Sequence, residues 1–436
     1  MSQASYRAPT ITTVDANASL YHKIAWRLMP ILFVGYIIAY LDRVNVGFAK
    51  LQMMGDLRFS DSVYGFGAGI FFVGYFLFEV PSNIILHKMG ARVWLCRVLV
   101  TWGIVSGCTA LVRNSWEFYT IRFLLGVAEA GFFPGMVLYL TYWFPSHRRA
   151  KMVAIMMAGN PVSGIIGGPI SGYILQRFAG VLGIAGWQWL FILEAIPAVI
   201  FGLIILIYLD SRVEDANWLS HDEKAALSAE IHEEARVKTH HTIRSVFTSP
   251  RVWLMCAILW GIVMGSYAIG FWQPTILRET GVKNPFDIGL LTMVPYTLAL
   301  ISMILVGRHA DKLRERRWHV VVPNVVAALG FILCTQAGGS TTVAMMGLTM
   351  ALVGVVTALP MFWALPTSFL GGGAAAAGIA LINSTGNLAG FVSPTIIGFL
   401  KTYTGTLNSG LFLVSGCLTG SAILILTLVP AKMANR

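Results

Sequence analysis

Charged residues are scarce in this sequence. Only 12% of its 436 residues are Asp, Glu, Lys or Arg, whereas soluble domains carry about 25%. Hydrophobic residues make up 56% of the chain, and they lie in long runs. This composition excludes an ordinary soluble enzyme and predicts a protein with several membrane-spanning segments.

Metal-binding and redox motifs are also lacking. The five cysteines have no metal-ligand spacing and all lie in apolar segments. We interpret them as small hydrophobic residues and expect neither a disulfide nor a bound metal. The nine histidines fall in a polar central stretch or near the ends of apolar segments. A proton relay through buried histidines is therefore not expected.

Twelve apolar segments can be counted, and each reaches the ~20 residues that a bilayer-spanning helix needs. They lie at 25–48, 62–86, 93–112, 116–143, 151–176, 187–209, 252–277, 286–307, 319–337, 341–366, 374–400 and 409–430. The predicted fold is an all-α polytopic membrane protein with 12 transmembrane helices. Its parts are a tail at 1–24, six helices at 25–209, a linker at 210–251, six helices at 252–430 and a tail at 431–436.

The linker is the only long charged stretch. Ser220 precedes Glu223 by three residues, which is the spacing of a capping box, so we predict a surface helix there. The linker also contains His232 and the pair at 240–241. We interpret these histidines as solvated linker residues rather than as metal ligands.

Lys and Arg are unevenly shared between the two sides of the predicted membrane span. With a cytoplasmic amino terminus, 22 of the 31 fall on the cytoplasmic side and seven fall outside. This bias places both termini and the linker in the cytoplasm. It also accounts for the net charge of +11, so we expect a lipid bilayer around the chain and no nucleic-acid partner.

Four charged residues interrupt the apolar segments. Asp42 and Arg43 lie about 25 Å along the first helix, in its outer half. Arg122 and Glu129 are seven residues apart on the fourth segment, so they share a face, with Arg122 near the level of Asp42 and Glu129 nearer the midplane. Ionisable groups inside a membrane cost several kcal/mol unless they are paired or hydrated. We therefore predict a functional site here.

The chemistry of the four residues suggests separate roles. Arginine stays protonated and its planar fork fits a carboxylate, so we assign Arg43 and Arg122 to substrate binding. A carboxyl can gain or lose a proton as the cavity fills, so we assign Asp42 and Glu129 to proton coupling.

The first helix also predicts which side chains face a cavity. Tyr36, Tyr40 and Arg43 recur at i, i+4 and i+7 and form one stripe. We expect this stripe to face a central cavity. Asp42 lies about 100° away around the helix and is expected to face the fourth helix. Glu79 is interpreted as a structural ion-pairing residue beside a basic loop.

That basic loop occurs twice. One copy, at 83–92, follows the second segment, and the other, at 307–316, follows the eighth. The second copy has Gly307, Asp311 and Lys312 in a Gly-x-x-x-Asp-Lys pattern, and it resembles the loop signature of the major facilitator superfamily. The first copy has Asn83 and His87 at the glycine and aspartate positions. The resemblance implies two pseudo-symmetric six-helix bundles, with gating roles for Lys88, Arg92, Asp311 and Lys312.

Five further motifs resemble the anion:cation symporter family, which includes permeases for tartrate, hydroxyphenylacetate and galactonate. They lie at 40–45, 122–131, 186–194, 271–274 and 378–390. The resemblance implies uptake of an organic anion coupled to protons, without another cofactor. It places binding residues at Tyr40, Arg43, Tyr75, Asn160, Trp363 and Asn387, and Asn383 is added because it lies one turn before Asn387.

The sequence therefore predicts a monomeric secondary transporter of the inner membrane, not an enzyme. We expect it to import a small organic carboxylate by proton symport with alternating access. A proton-independent exchanger or facilitator of the same fold stays open, as does a sensor that binds a nutrient without moving it. Tartrate-like hydroxy acids, sugar acids and aromatic acids are the candidate substrates, with tartrate first.

Overall fold

The computed structural model describes residues 11–237, 247–367 and 372–430. These described residues are helical throughout and contain no β-strand. The helices are α1 (Ile11–Leu57), α2 (Asp61–Met89), α3 (Ala91–Cys108), α4 (Ser115–Glu129), α5 (Phe132–Trp143), α6 (Ser146–Met157), α7 (Gly159–Arg177), α8 (Gly186–Tyr208), α9 (His221–Val237), α10 (Pro250–Glu279), α11 (Pro285–Leu313), α12 (Arg317–Thr335), α13 (Thr341–Thr367), α14 (Gly372–Thr404) and α15 (Asn408–Leu428). Parts of the predicted tails and linker, at 1–10, 238–246 and 431–436, lie outside the described residues.

Each predicted apolar segment falls on helical structure, although the bounds differ most at the first segment. In the described part of the chain, eleven helical stretches are long and apolar enough to cross a membrane. The remaining predicted segment, at 374–400, lies within the 33-residue α14. The first helix is longer than predicted, because it extends from Ile11 to Leu57.

One predicted span is broken in the middle. α4 ends at Glu129 and α5 begins at Phe132, because Gly131 adopts a φ of 84°. A Cβ on Gly131 would lie 2.4 Å from Ser82 Oγ, so the break also brings α2 close. The sequence predicted a continuous helix at 116–143, since the run contains no polar interruption at this point. The break places Glu129 at a helix end.

The linker helix α9 packs against the beginning of α1. Its capping box is present: the Glu223 backbone N–H donates to Ser220 Oγ at 3.2 Å, and the Ser220 N–H donates to the Glu223 carboxylate at 2.8 Å. Lys23 of α1 donates to the same carboxylate at 2.8 Å and holds the pKa of Glu223 below its usual value. α1 therefore begins on the side that carries the linker. We call this the linker side, and the opposite end the far side.

Small residues bring the two halves of the chain together. α2 packs against α14, and a Cβ on Gly65 would lie 2.3 Å from the Pro394 carbonyl oxygen. α7 packs against α11, where a Cβ on Gly168 would lie 2.0 Å from Thr292 Oγ1. Small residues at such positions let membrane helices approach closely. Both contacts lie towards the far side.

Gly65→Ala is expected to destabilise the protein by about 1–3 kcal/mol, since the added methyl group overlaps backbone that cannot yield freely. The matched control is Gly55→Ala, because Gly55 is helical with nothing within 4 Å of the added Cβ. That change should be neutral or stabilising by up to ~1 kcal/mol. Thermal unfolding of the two purified variants makes the comparison. Equal unfolding temperatures would contradict this account of the contact.

Charged residues also join the two halves on the far side. Lys50 of α1 pairs with Asp61 of α2 at 2.7 Å. Lys401 of α14 pairs with Asp61 at 3.5 Å and with Glu279 of α10 at 2.7 Å. The Lys50 ammonium lies 3.6 Å from the ring centroid of Trp272, which belongs to α10. We call these residues the far-side clasp, and they hold the far side closed.

Lys50→Met is expected to open the far side more often, because a desolvated cation–π contact contributes about 2 kcal/mol. Spin labels at positions 62 and 402, on a background without native cysteines, report this opening. Ser62 and Thr402 are in contact, with the Ser62 N–H donating to the threonine hydroxyl at 2.9 Å. The variant should gain a longer label distance, and the exposed far-side control Lys283→Met should not. Identical distance distributions in all three proteins would exclude a role for Lys50 in closure.

Candidate substrate site

A central cavity lies between the two halves of the chain, on the linker side of the clasp. Its empty space, together with the open solvent at its mouth, is about 770 Å³. Seven predicted site residues and Tyr267, which was not predicted, line it. They are Tyr40, Arg43, Tyr75, Glu129, Tyr267, Trp363, Asn383 and Asn387. The first four belong to the first half of the chain and the last four to the second, so both halves build the site.

The α1 stripe faces this cavity, as its spacing predicts. Tyr36, Tyr40 and Arg43 all line it, and the two tyrosine rings pack at 4.9 Å between centroids. The Arg43 guanidinium lies 5.2 Å from the Tyr40 ring centroid and 5.5 Å from that of Tyr75. Aromatic faces thus hold the guanidinium in place at the cavity wall.

Arg43 and Glu129 form an ion pair at the cavity. The Arg43 guanidinium donates to the Glu129 carboxylate, and the side chains are 10% and 1% exposed. Among the described residues, Arg43 Nε and Glu129 Oε2 have no hydrogen-bond partner. Buried polar groups are normally satisfied, so these two atoms leave room for a polar ligand or water. The arginine fork can exchange its glutamate partner for a substrate carboxylate.

Asp42 is buried behind the cavity wall and is absent from the described residues that line it. Its carboxylate accepts hydrogen bonds from Trp102 Nε1 at 2.5 Å, from the Ser106 hydroxyl, and from Asn45 Nδ2 at 3.2 Å. Asp42 therefore faces α3, and the expectation that it faces the fourth helix is wrong. The reason is that indole and hydroxyl donors on α3 reach the carboxylate.

Arg122 also lies behind the cavity wall and is fully buried. Its guanidinium lies 5.2 Å from the Phe71 ring centroid and donates to the carbonyls of Gly67 at 3.4 Å and Ala68 at 3.5 Å. The side chain thus packs against α2. Of the two arginines assigned to substrate, Arg43 reaches the central cavity and Arg122 does not.

The second half of the chain contributes amides and aromatic rings. Trp363 on α13 and Asn387 on α14 line the cavity, as the family resemblance implied, and so does Asn383, which was added from its one-turn spacing to Asn387. Asn160 on α7 was assigned to the same site, but it lies outside the described lining residues. The two asparagines are one turn apart, so a bound molecule can reach both amides.

Sequence reasoning missed two residues near this site. Tyr267 lines the cavity. Its only signal in the sequence is that it lies one turn before Phe271, which begins the motif at 271–274. Glu79 was interpreted as a partner of the basic loop, but its carboxylate accepts a hydrogen bond from Asn383 Nδ2 at 3.4 Å. This contact joins the two halves on the linker side of the cavity. Glu79 and Asn383 are 304 residues apart, so no local pattern signals the pair.

The four predicted gating residues are exposed on the linker side: Lys88, Arg92, Asp311 and Lys312. Arg92 donates to the Leu206 carbonyl of α8, and Asp311 pairs with Arg316 in its own loop. Each of these contacts stays within one half of the chain. A gating role for the loops therefore stays a prediction.

Comparison with known proteins places these features in a family context. The profile of the Major Facilitator Superfamily matches residues 32–394. The chain is 49% identical over 423 residues to "Putative tartrate transporter" of Agrobacterium vitis, covering 97% of each chain. It is 46% identical over 420 residues to "Putative metabolite transport protein NicT" of Pseudomonas putida, covering 96% of each.

A solved structure has the same architecture. The partially occluded inward-open conformation of the xylose transporter XylE from E. coli matches with a TM-score of 0.73 at 14% identity, covering 93% of this chain and 98% of that one. At this level of identity the match concerns the fold alone. The fold predicted from the sequence, an all-helical membrane protein of two six-helix bundles, is thereby confirmed.

Proposed function

This chain belongs to the major facilitator superfamily and is a multi-pass membrane transporter, and we propose that it imports a small hydroxy-carboxylate such as tartrate together with protons. The observation that carries this proposal is the Arg43–Glu129 pair at the cavity wall. The name of the Agrobacterium vitis relative, a putative tartrate transporter, supports tartrate as the first substrate to test.

The pair provides a way to couple the anion to a proton. Ionised Arg43 and Glu129 are together neutral, so a bound carboxylate adds net negative charge in a site of low dielectric. Uncompensated charge inside a membrane costs several kcal/mol. A proton taken up by Glu129 offsets one negative charge of the bound acid and frees the Arg43 fork for the substrate. Substrate and proton therefore bind together.

We assign Asp42 to a second site for the same coupled proton within the cycle. It directly precedes Arg43 of the α1 stripe in sequence, and its carboxylate is held by the Trp102 indole, which can only donate a hydrogen bond. The carboxylate oxygen therefore accepts in this conformation. Protonation of Asp42 would remove its charge, weaken the hydrogen bonds that it accepts from α3 and so change how α1 packs on α3.

The polar groups of the second half suit a hydroxylated acid. The Asn383 and Asn387 amides can both donate and accept, and each hydroxyl group of tartrate can do the same. A site that binds hydroxyl groups rejects analogues without them, because its buried polar groups are left unpaired. We therefore propose that a hydroxy acid is preferred over an aromatic acid, although Tyr75 and Trp363 supply rings.

We further propose that the linker side is cytoplasmic and that the chain acts as a monomer in the bacterial inner membrane. The excess of Lys and Arg at this side supports the orientation. With the far-side clasp closed, the structure then corresponds to a state that is shut to the outside. Alternating access requires the clasp to open while the contacts on the linker side close.

Proteoliposomes test the proposal directly. With an acidic outside and an alkaline inside, the protein should accumulate labelled tartrate, and a protonophore should abolish the accumulation. Galactonate and hydroxyphenylacetate serve as competing acids. Tartrate exchange without accumulation would instead indicate the proton-independent exchanger. Absence of transport for all three acids would refute the carboxylate proposal.

A further inference from the structure

A second cavity lies on the linker side, between the first part of α1, the end of α5 and the beginning of α6. We call it the linker-side groove. His22, Trp26, Phe33, Phe144, Arg148 and Lys151 are among its lining residues. The exposed Trp26 indole donates to His22 Nε2 at 2.9 Å. The mechanism proposed above uses none of these side chains.

The groove and the central cavity lie along one face of α1. His22, Met29 and Phe33 line the groove, and Tyr36 and Arg43 line the central cavity. These positions are separated by 7, 4, 3 and 7 residues, which keeps all five on one side of a helix. The groove is therefore the linker-side continuation of the cavity face.

The groove is positively charged. The cations Arg148 and Lys151 line it, and no described lining residue is acidic. The Arg148 guanidinium lies 4.4 Å from the Tyr21 ring centroid, which fixes its plane. Its Nε is buried and has no hydrogen-bond partner among the described residues. A buried cationic donor without a partner is costly, and an anionic ligand would satisfy it.

We propose that the linker-side groove is a second anion subsite, which holds the transported carboxylate between the central cavity and the cytoplasm. This subsite rests on the proposed function. The Arg148 fork and the Lys151 ammonium bind the carboxylate there. A cleft lined by charge of one sign raises the local concentration of its ligand and increases association rates by about 10–10³. The groove thus speeds exchange of the anion between the cavity and the linker side.

The test is the apparent KM for tartrate at each face of the membrane. The variant Arg148→Gln/Lys151→Gln is compared with Arg251→Gln/Arg314→Gln, which removes two exposed linker-side cations outside the groove. In inside-out vesicles, the groove variant should raise the KM about tenfold at low salt. The difference should shrink at high salt, where surface charge is screened.

In right-side-out vesicles, the KM of the groove variant should equal that of the wild type, which also shows that the variant is folded. The final accumulation ratio should be unchanged, because a subsite alters rates and not the driving force. Equal KM values at both faces would overturn the subsite.

Anionic phospholipid is the other source of a matching anion. An effect seen only in liposomes with phosphatidylglycerol, and absent in pure phosphatidylcholine, would assign the groove to a lipid headgroup and overturn the proposal. Failure of the wild type to transport tartrate in either vesicle would refute the proposed substrate, and the subsite for it as well. Normal wild-type transport with an unaffected groove variant would refute the subsite alone.

Discussion

Arg43→Gln should abolish tartrate binding at concentrations that saturate the wild type. The guanidinium is the cation that lines the central cavity beside an acid, and its position is held by the rings of Tyr40 and Tyr75. Removing one partner of a buried, hydrogen-bonded charge pair costs about 2–5 kcal/mol. The glutamine variant also leaves Glu129 buried without its cation, so the loss should lie at the upper end.

The measurement is calorimetric titration of the purified variants with tartrate. Arg43→Lys keeps the charge but loses the planar fork, so it should recover part of the affinity and no more. The exposed Arg113→Gln is the control for removal of a positive charge elsewhere. Wild-type affinity in Arg43→Gln would remove Arg43 from the anion site.

Glu129→Gln should abolish accumulation of tartrate driven by a pH gradient while exchange of tartrate across the membrane continues. The amide can still accept a hydrogen bond from Arg43, but it cannot carry the coupling proton. One pH unit corresponds to 1.36 kcal/mol, so each coupled proton supports about tenfold accumulation per unit. The variant should lose this factor and bring tartrate only to equal concentrations on both sides.

The matched control for this change is Glu194→Gln. Glu194 is also buried in the first half of the chain, but it accepts a hydrogen bond from Ser171 at 2.6 Å and lies outside the described cavity lining. Accumulation in this control should persist. If Glu129→Gln accumulates tartrate as the wild type does, its carboxyl has no part in coupling.

Helical periodicity accounts for what the sequence predicted well. The spacing of Tyr36, Tyr40 and Arg43 fixes them on one side of α1 whatever packs around it, and hydropathy alone locates that helix in the membrane. The depth of Glu129 follows from the rise per residue in the same way. Such features depend only on the spacing of residues within one helix, so they can be predicted from the sequence of that helix alone.

The features that sequence reasoning missed depend on pairs of helices. The direction of Asp42 is decided by Trp102 and Ser106, which lie on another helix and supply the donors. Arg122 donates to α2 carbonyls and does not line the cavity. The break before Phe132 requires close approach of α2 at Gly131. None of these contacts follows from the period of one helix.

The two halves of the chain are joined on opposite sides of the cavity by the far-side clasp and by the Glu79–Asn383 contact. The clasp joins the halves through ion pairs and the Trp272 ring, whereas the Glu79–Asn383 contact on the linker side is one hydrogen bond of 3.4 Å. Glu79 also has a buried carboxylate oxygen without a partner among the described residues. The weaker contact on the linker side is consistent with release of substrate towards that side.

The most direct measurement is the number of protons taken up when tartrate binds. Calorimetric titration of the wild type in buffers that differ in ionisation enthalpy gives this number. The account predicts net uptake of about one proton per tartrate in the wild type, and less in Glu129→Gln, because the anion and the proton enter the Arg43–Glu129 pair together. Tartrate binding by the wild type without any proton uptake would contradict it.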